Sequence, residues 1–182
     1  MAEPSSPHAA EIVAAIRART MSAVSVVQAA LARAEQLKHL NAFILLNTEV
    51  ALAQAAEVDA GTRTGALAGL PIVVKDNINT ADLPTSAGTP ALQQARPTRN
   101  APSLQKLLDA GAIVIGKTNL HELAFGITST NLSSFAGPVK NPYDTSRFPA
   151  ARPAARRRRS QRALSAAASA PTPAARPGCR RR

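Results

Sequence analysis

A lysine that directly follows three β-branched residues is chemically conspicuous. Lys75 comes after Ile72-Val73-Val74 and before Asp76-Asn77. The apolar run reads as a short buried strand. A lysine at the end of such a strand is expected to be partly desolvated, which lowers its pKa and favours the neutral amine. A neutral lysine accepts a proton, so Lys75 is a candidate base. A second reading has the same side chain snorkelling to the surface or pairing with Asp76. The residue and its neighbours alone leave both readings open.

Nothing else in the chain has the spacing of a reactive cluster. His8, His39 and His121 are scattered, and His121-Glu122 lacks the second histidine of a zinc helix. Cys179 is the single cysteine, so it can form neither an internal disulfide nor a metal site by itself. Neither a metal nor another cofactor is expected.

The elements that must position Lys75 follow from periodicity and turn signals. Pro7 to Arg17 reads as a helix capped by Ser5 or Ser6, with Ile12, Val13 and Ile16 on one face. Ser22 to Leu37 reads as a second helix carrying a stripe of Val24, Val27, Ala30, Leu31 and Ala34. Ala42 to Leu46 is a strand, and Val50 to Ala60 a third helix ended by Gly61. A glycine-punctuated turn, Gly65 to Pro71, leads into the strand of Lys75, and a polar loop spans Thr80 to Asn100. Ser103 caps a helix to Ala110, Ala112 to Ile115 is a further strand, and Leu120 to Phe125 reads as a helix before a Ser/Thr/Asn/Gly loop. Strands alternating with helices indicate an α/β layer architecture.

Several of these segments together resemble the amidase signature family. The string Gly65-Ala-Leu-Ala-Gly-Leu-Pro-Ile-Val-Val-Lys-Asp-Asn-Ile78 is similar to that family's first motif, and Thr85-Ser-Ala-Gly-Thr-Pro-Ala-Leu92 to its next loop. Ala110-Gly-Ala-Ile-Val-Ile-Gly-Lys-Thr-Asn119, Leu120-His-Glu-Leu-Ala-Phe-Gly126 and Gly137-Pro-Val-Lys-Asn-Pro-Tyr-Asp144 continue the likeness. It spans about Ala9 to Pro149, and Leu120 to Gly126 looks closest to the indoleacetamide and mandelamide hydrolases. One departure is Phe135-Ala136-Gly137, where the family places Phe and Gly next to each other.

The resemblance implies a mixed β-sheet flanked by helices on both faces. It also implies hydrolysis of a carboxamide by a Ser–cis-Ser–Lys triad. Lys75 would draw a proton through a bridging serine, which deprotonates a nucleophilic serine, and water would then release the acyl-enzyme. Backbone N–H groups would hold the oxyanion. The segment carrying Phe125, Gly126, Thr128 and Asn131 is the expected substrate-binding loop. The expected partner is a small amide substrate of arylacetamide type, and the intact family implies a homodimer. A transamidation component that works on charged tRNA is the alternative within the same family.

Both serine motifs of the triad are missing from the chain. Where Gly-Gly-Ser-Ser-Gly-Gly should begin, the sequence reads Ala150-Ala-Arg-Pro-Ala-Ala155. Encoding the family motif as GGC GGC TCG TCC GGC GGC and removing its first base yields Ala-Ala-Arg-Pro-Ala-Ala. The same offset converts Gly-Leu-Gly-Thr-Asp-Thr-Gly-Gly-Ser, with GC-rich codons, into the Ala168 to Arg176 segment, Ala-Ser-Ala-Pro-Thr-Pro-Ala-Ala-Arg. A frame change just after Pro149 is therefore expected. It divides the chain into a truncated amidase portion, 1–149, and an out-of-frame tail, 150–182, whose composition predicts disorder. Such a chain would be catalytically dead, and 1–149 would be incompletely packed by itself, with apolar edges exposed.

The charge fits this division. The formal net charge is +11 from 22 basic and 11 acidic residues. Ten of the basic residues are arginines between Ala150 and Arg182, where there is no acidic residue. That leaves 12 basic against 11 acidic residues in 1–149, a net of +1. A basic-tailed, non-specific nucleic-acid binder is the alternative from another class. Real basic tails usually include lysine, and stacking aromatics are missing here. No specific nucleic-acid partner is expected. The N-terminus lacks the apolar run of a signal peptide, and no stretch reaches membrane-spanning length, so a soluble cytoplasmic protein without a membrane partner is the expectation.

Overall fold

The computed structural model describes residues 7–126, 128–147 and 149. The tail 150–182 and the caps Ser5 and Ser6 expected for the first helix lie outside the described residues. Helix α1 (Ala9–Arg17) is instead capped at His8, whose backbone N–H donates to Glu11. It buries Ile12, Val13 and Ile16, the three residues spaced for one face. Helix α2 (Ala23–Gln36) starts at Ser22, whose hydroxyl accepts the Ser25 N–H, satisfying one of the helix's otherwise free donors. Its buried stripe is Ala23, Val26, Val27, Ala30, Leu31 and Ala34.

Strand β1 (Phe43–Leu46), helix α3 (Thr48–Asp59), strand β2 (Pro71–Lys75), helix α4 (Pro102–Asp109) and strand β3 (Ile113–Thr118) follow in order. The expected Ser103 cap on α4 is not used. The cap position is Ala101, and Pro102 opens the helix, where its missing N–H costs nothing. The expected helix from Leu120 to Phe125 shortens to a 3-10 turn over Glu122–Ala124, because Leu123 sits at φ 53. A left-handed residue cannot continue an α-helix.

The three strands form one sheet in the order β1-β3-β2. β1 runs antiparallel to β3, and β2 runs parallel to it, so the sheet is mixed. One core joins α1, α2 and α3 to Ile113, Ile115 and Val73. A second joins Val74, Val114 and Ile72 to Leu83 and to Leu104 and Leu108 of α4. Alternating strand residues thus serve opposite faces, and helices cover both, as the family resemblance implied. The register slips between Ile72 and Val73 where β2 meets β3, and between Phe43 and Leu45 where β1 meets β3. Gly116 lies at this crowded place. A Cβ added there would sit 2.5 Å from the Leu45 carbonyl oxygen.

Several large apolar side chains remain open to solvent: Phe125 is 94% exposed, Leu132 82% and Tyr143 76%. They belong to the segment after β3. Among the described residues, no helix is long and apolar enough to cross a membrane.

Candidate active site

Lys75 is the last residue of β2, paired with Thr118 across the parallel register. β2 is an edge of the three-stranded sheet, and the Lys75 side chain is exposed. The burial expected from Ile72-Val73-Val74 is therefore not found at Lys75 itself: an edge strand shields its last residue from one side only. Of the two forms of the alternative reading, the side chain reaching the surface is the one found, and no pair with Asp76 is formed.

Asp76 has a different lysine. Lys117 Nζ lies 3.6 Å from Asp76 Oδ1, with side-chain exposures of 0% and 1%. Lys117 donates to the Ile78 carbonyl at 2.7 Å, Thr80 Oγ1 at 2.9 Å and Thr85 Oγ1 at 3.1 Å. All three ammonium protons thus have acceptors. Burial pushes the Lys117 pKa down, and the Asp76 charge opposes this only in part. The other carboxylate oxygen, Asp76 Oδ2, accepts from the Ser86 N–H at 3.1 Å, the Ser86 hydroxyl and the Gly88 N–H at 3.4 Å. One buried pair therefore ties the residue after Lys75 both to the central strand and to the turn at 86–88.

That turn continues into the expected substrate loop. The Gly88 carbonyl accepts from Asn131 Nδ2 at 2.8 Å and from the Ser133 hydroxyl at 3.0 Å. Asn131 also donates to the Leu120 carbonyl at 3.2 Å, and its Oδ1 accepts the Ser133 N–H. It is fully enclosed, its polar atoms committed to holding two loops together. A Cβ on Gly88 would collide with this amide. Leu123 N–H donates to the Ala87 carbonyl at 2.8 Å, which places the 3-10 turn beside the same loop.

The remaining expected site residues lie around that turn. Phe125 projects into solvent. Gly126 packs against the His121 ring, which any Cβ there would strike. Thr128 is exposed, with Oγ1 3.4 Å from His121 Nδ1. Ala136 is also anchored: its carbonyl accepts from Asn41 Nδ2 at 2.6 Å and from Asn119 Nδ2 at 3.3 Å. No cluster of three His, Cys, Asp or Glu able to hold a metal is found among the described residues.

Sequence reasoning passed over Lys117, Asp76, Ser86, Thr80 and Thr85 as a unit. Part of the signal was available. Lys117 follows Ile113-Val114-Ile115-Gly116 much as Lys75 follows Ile72-Val73-Val74.

Comparison with known proteins gives this arrangement a family. The amidase family matches residues 25–151, so the match stops where the serine motifs would begin. A glutamyl-tRNA(Gln) amidotransferase component of Trichodesmium erythraeum is 45% identical over 133 residues, covering 70% of this chain and 27% of that protein. The mandelamide hydrolase of Pseudomonas putida is 42% identical over 144 residues, covering 75% and 28%. Among solved structures, the peptide amidase of Stenotrophomonas maltophilia superposes with a TM-score of 0.69 at 38% identity, covering 78% of this chain and 31% of that one. The chain thus spans under a third of the length of these relatives. With both the mixed sheet and the sequence in agreement over the same residues, the chain belongs to the amidase (amidase signature) family.

Proposed function

We propose that the gene's original product hydrolyses a carboxamide C–N bond with Lys75 as the base of a Ser–cis-Ser–Lys triad, and that the present 182-residue chain is inactive. The observation that carries this reading is the placement of Lys75. It stands at the end of a parallel strand with its amine open, and its neighbour Asp76 is locked to the central strand and to the loop at 86–88. This position offers a fixed backbone and an unblocked amine, and the desolvation that a neutral amine also needs would have to come from the in-frame residues beyond Pro149. Phe125, Gly126 and Thr128 would face the substrate, with Asn131 holding their loop from behind. The family match ending at residue 151 supports a frame change just past Pro149.

The substrate we favour is a small arylacetamide-type amide, in keeping with the likeness to a mandelamide hydrolase. The similarity to a glutamyl-tRNA(Gln) amidotransferase component supports a second reading, amide nitrogen transfer onto charged tRNA. Resequencing across the codons for Pro149 and Ala150 tests the frame. Restoring it should create hydrolysis of mandelamide or phenylacetamide that Lys75→Ala abolishes, while the 182-residue chain gives none. Release of ammonia from glutamine only in the presence of charged tRNA would select the second reading. A frame-restored protein whose amide hydrolysis survives Lys75→Ala would overturn the assignment of the base.

A further inference from the structure

A cleft of about 500 Å³ lies on the helical side of the molecule, away from Lys75. Its walls combine three arginines, Arg17, Arg19 and Arg63, with apolar surface from the half-buried Met21 and Val58, over the buried Val13 and Ile16. The one acidic residue lining it, Asp59, is already used: its two oxygens accept the N–H groups of Ala23 at 2.7 Å and Val24 at 3.1 Å. Those bonds satisfy the start of α2, so Asp59 does not neutralise the arginines by hydrogen bonding.

The arginines themselves are under-used. Arg17 and Arg19 make no side-chain hydrogen bond or ion pair among the described residues. Arg63 reaches the Ala112 carbonyl only at 3.4 Å and Glu57 only at 3.8 Å. Its Nε is buried and has no acceptor, although a buried N–H normally finds one. Arg19 is held at φ 56, in the left-handed region, which a side-chain-bearing residue seldom occupies. The turn at 18–21 therefore presents Arg19 from a backbone that glycine would adopt more readily.

We infer that this cleft binds a small amphipathic carboxylate, its anionic head on Arg17, Arg19 and Arg63 and its hydrocarbon body against Met21 and Val58. Guanidinium groups match carboxylate geometry and hold it with charge-assisted bonds. An apolar cleft of this size with a few convergent polar groups is the ordinary form of a small-molecule site. The site is separate from the amide chemistry and stands whether or not Lys75 is a base.

The test is calorimetric titration of the 182-residue chain with 4-phenylbutyrate at about 0.15 M ionic strength, which screens exposed charge. Saturable binding of one ligand per chain is expected. Arg17→Gln and Arg19→Gly should each weaken it about tenfold, the scale of one lost charge-assisted contact, and Arg19→Gly also relaxes the backbone, so a folding defect is not expected. The arginine-rich tail is unchanged in both variants and cancels in the comparison. Acetate and the neutral 4-phenylbutyramide should each bind at least about tenfold more weakly than 4-phenylbutyrate, because each lacks one half of the recognition. Equal binding of the amide and the carboxylate would overturn the inference. So would no saturable binding, or binding untouched by both arginine changes.

Discussion

Replacing Lys117 by methionine should cost the protein about 3 kcal/mol of folding stability. Methionine keeps the unbranched apolar stem and removes the ammonium. Three donated hydrogen bonds disappear, to Ile78 O, Thr80 Oγ1 and Thr85 Oγ1. Asp76, with 1% side-chain exposure, is left as an uncompensated buried charge. Removing one partner of a buried pair costs about 3–5 kcal/mol. Two features place this case at the lower end. Asp76 Oδ2 keeps its donors from Ser86 and Gly88. The Ile78 carbonyl keeps the hydroxyls of Thr80 at 3.1 Å and Thr85 at 3.4 Å.

Urea unfolding followed by circular dichroism measures this directly. With a slope of about 2 kcal/mol per molar for a protein of this size, the midpoint should fall by about 1.5 M. A domain holds only about 5–15 kcal/mol in total, so the loss would be conspicuous. The double variant Lys117→Met/Asp76→Asn removes the orphaned charge and should be more stable than Lys117→Met alone. A single variant within about 0.5 kcal/mol of the parent, the range of an ordinary surface change, would refute the reasoning. A double variant no better than the single would show that the buried charge is not the cause.

Three further expectations concern the same framework. The Lys117 pKa is lowered by burial from the ordinary 10.5. Between the folded value and 10.5 the unfolded chain binds more protons than the folded one, so stability should rise with pH in that window. Urea midpoints measured as the pH is raised towards 10.5 should show this slope, and Lys117→Met should remove it. Gly116→Ala places a Cβ 2.5 Å from the Leu45 carbonyl and should destabilise by about 1–3 kcal/mol, the cost of overpacking, read as a lowered thermal midpoint. Burial acts to raise the Asp59 pKa, but the N–H groups of Ala23 and Val24 and the Ser22 hydroxyl outweigh it and hold the value below 3.8. Its contribution is thus present above that pH and lost as acid protonates it; Asp59→Ala, which removes both acceptors, should cost about 1 kcal/mol in urea at neutral pH, as loss of a helix cap does.

Much of the fold was legible because its signals are local. The buried stripe of α2 recurs at helical spacing, and Ser22 stands where a cap belongs. The strands of Ile72–Val74 and Ala112–Ile115 are short apolar runs between glycine turns, and both formed, each running on past its apolar residues to a lysine or beyond. What failed depends on contacts between distant segments. Leu120 to Phe125 has helix-forming residues, yet Leu123 N–H is drawn to the Ala87 carbonyl, far earlier in the chain, and the backbone turns left-handed to reach it. Asn131 shows the same limit. A polar residue in a polar loop suggests contact with substrate, but its partners Gly88 and Leu120 are distant in sequence and no spacing rule reveals them.

The two lysines show where the missing information lies. Each follows a run of branched apolar residues, so the desolvation expected for Lys75 applies equally to Lys117. The sheet order decides between them. β3 is flanked by β1 and β2, whereas β2 has a strand on one side only. Neighbours on both sides enclose the central lysine completely, and its charge is kept only because Asp76, Thr80 and Thr85 converge on it. The edge lysine stays open. A buried ammonium must have every proton satisfied, whereas an exposed one leaves that to water. Strand position, which a one-dimensional pattern does not contain, therefore assigns the buried framework role to Lys117 and leaves the Lys75 side chain exposed.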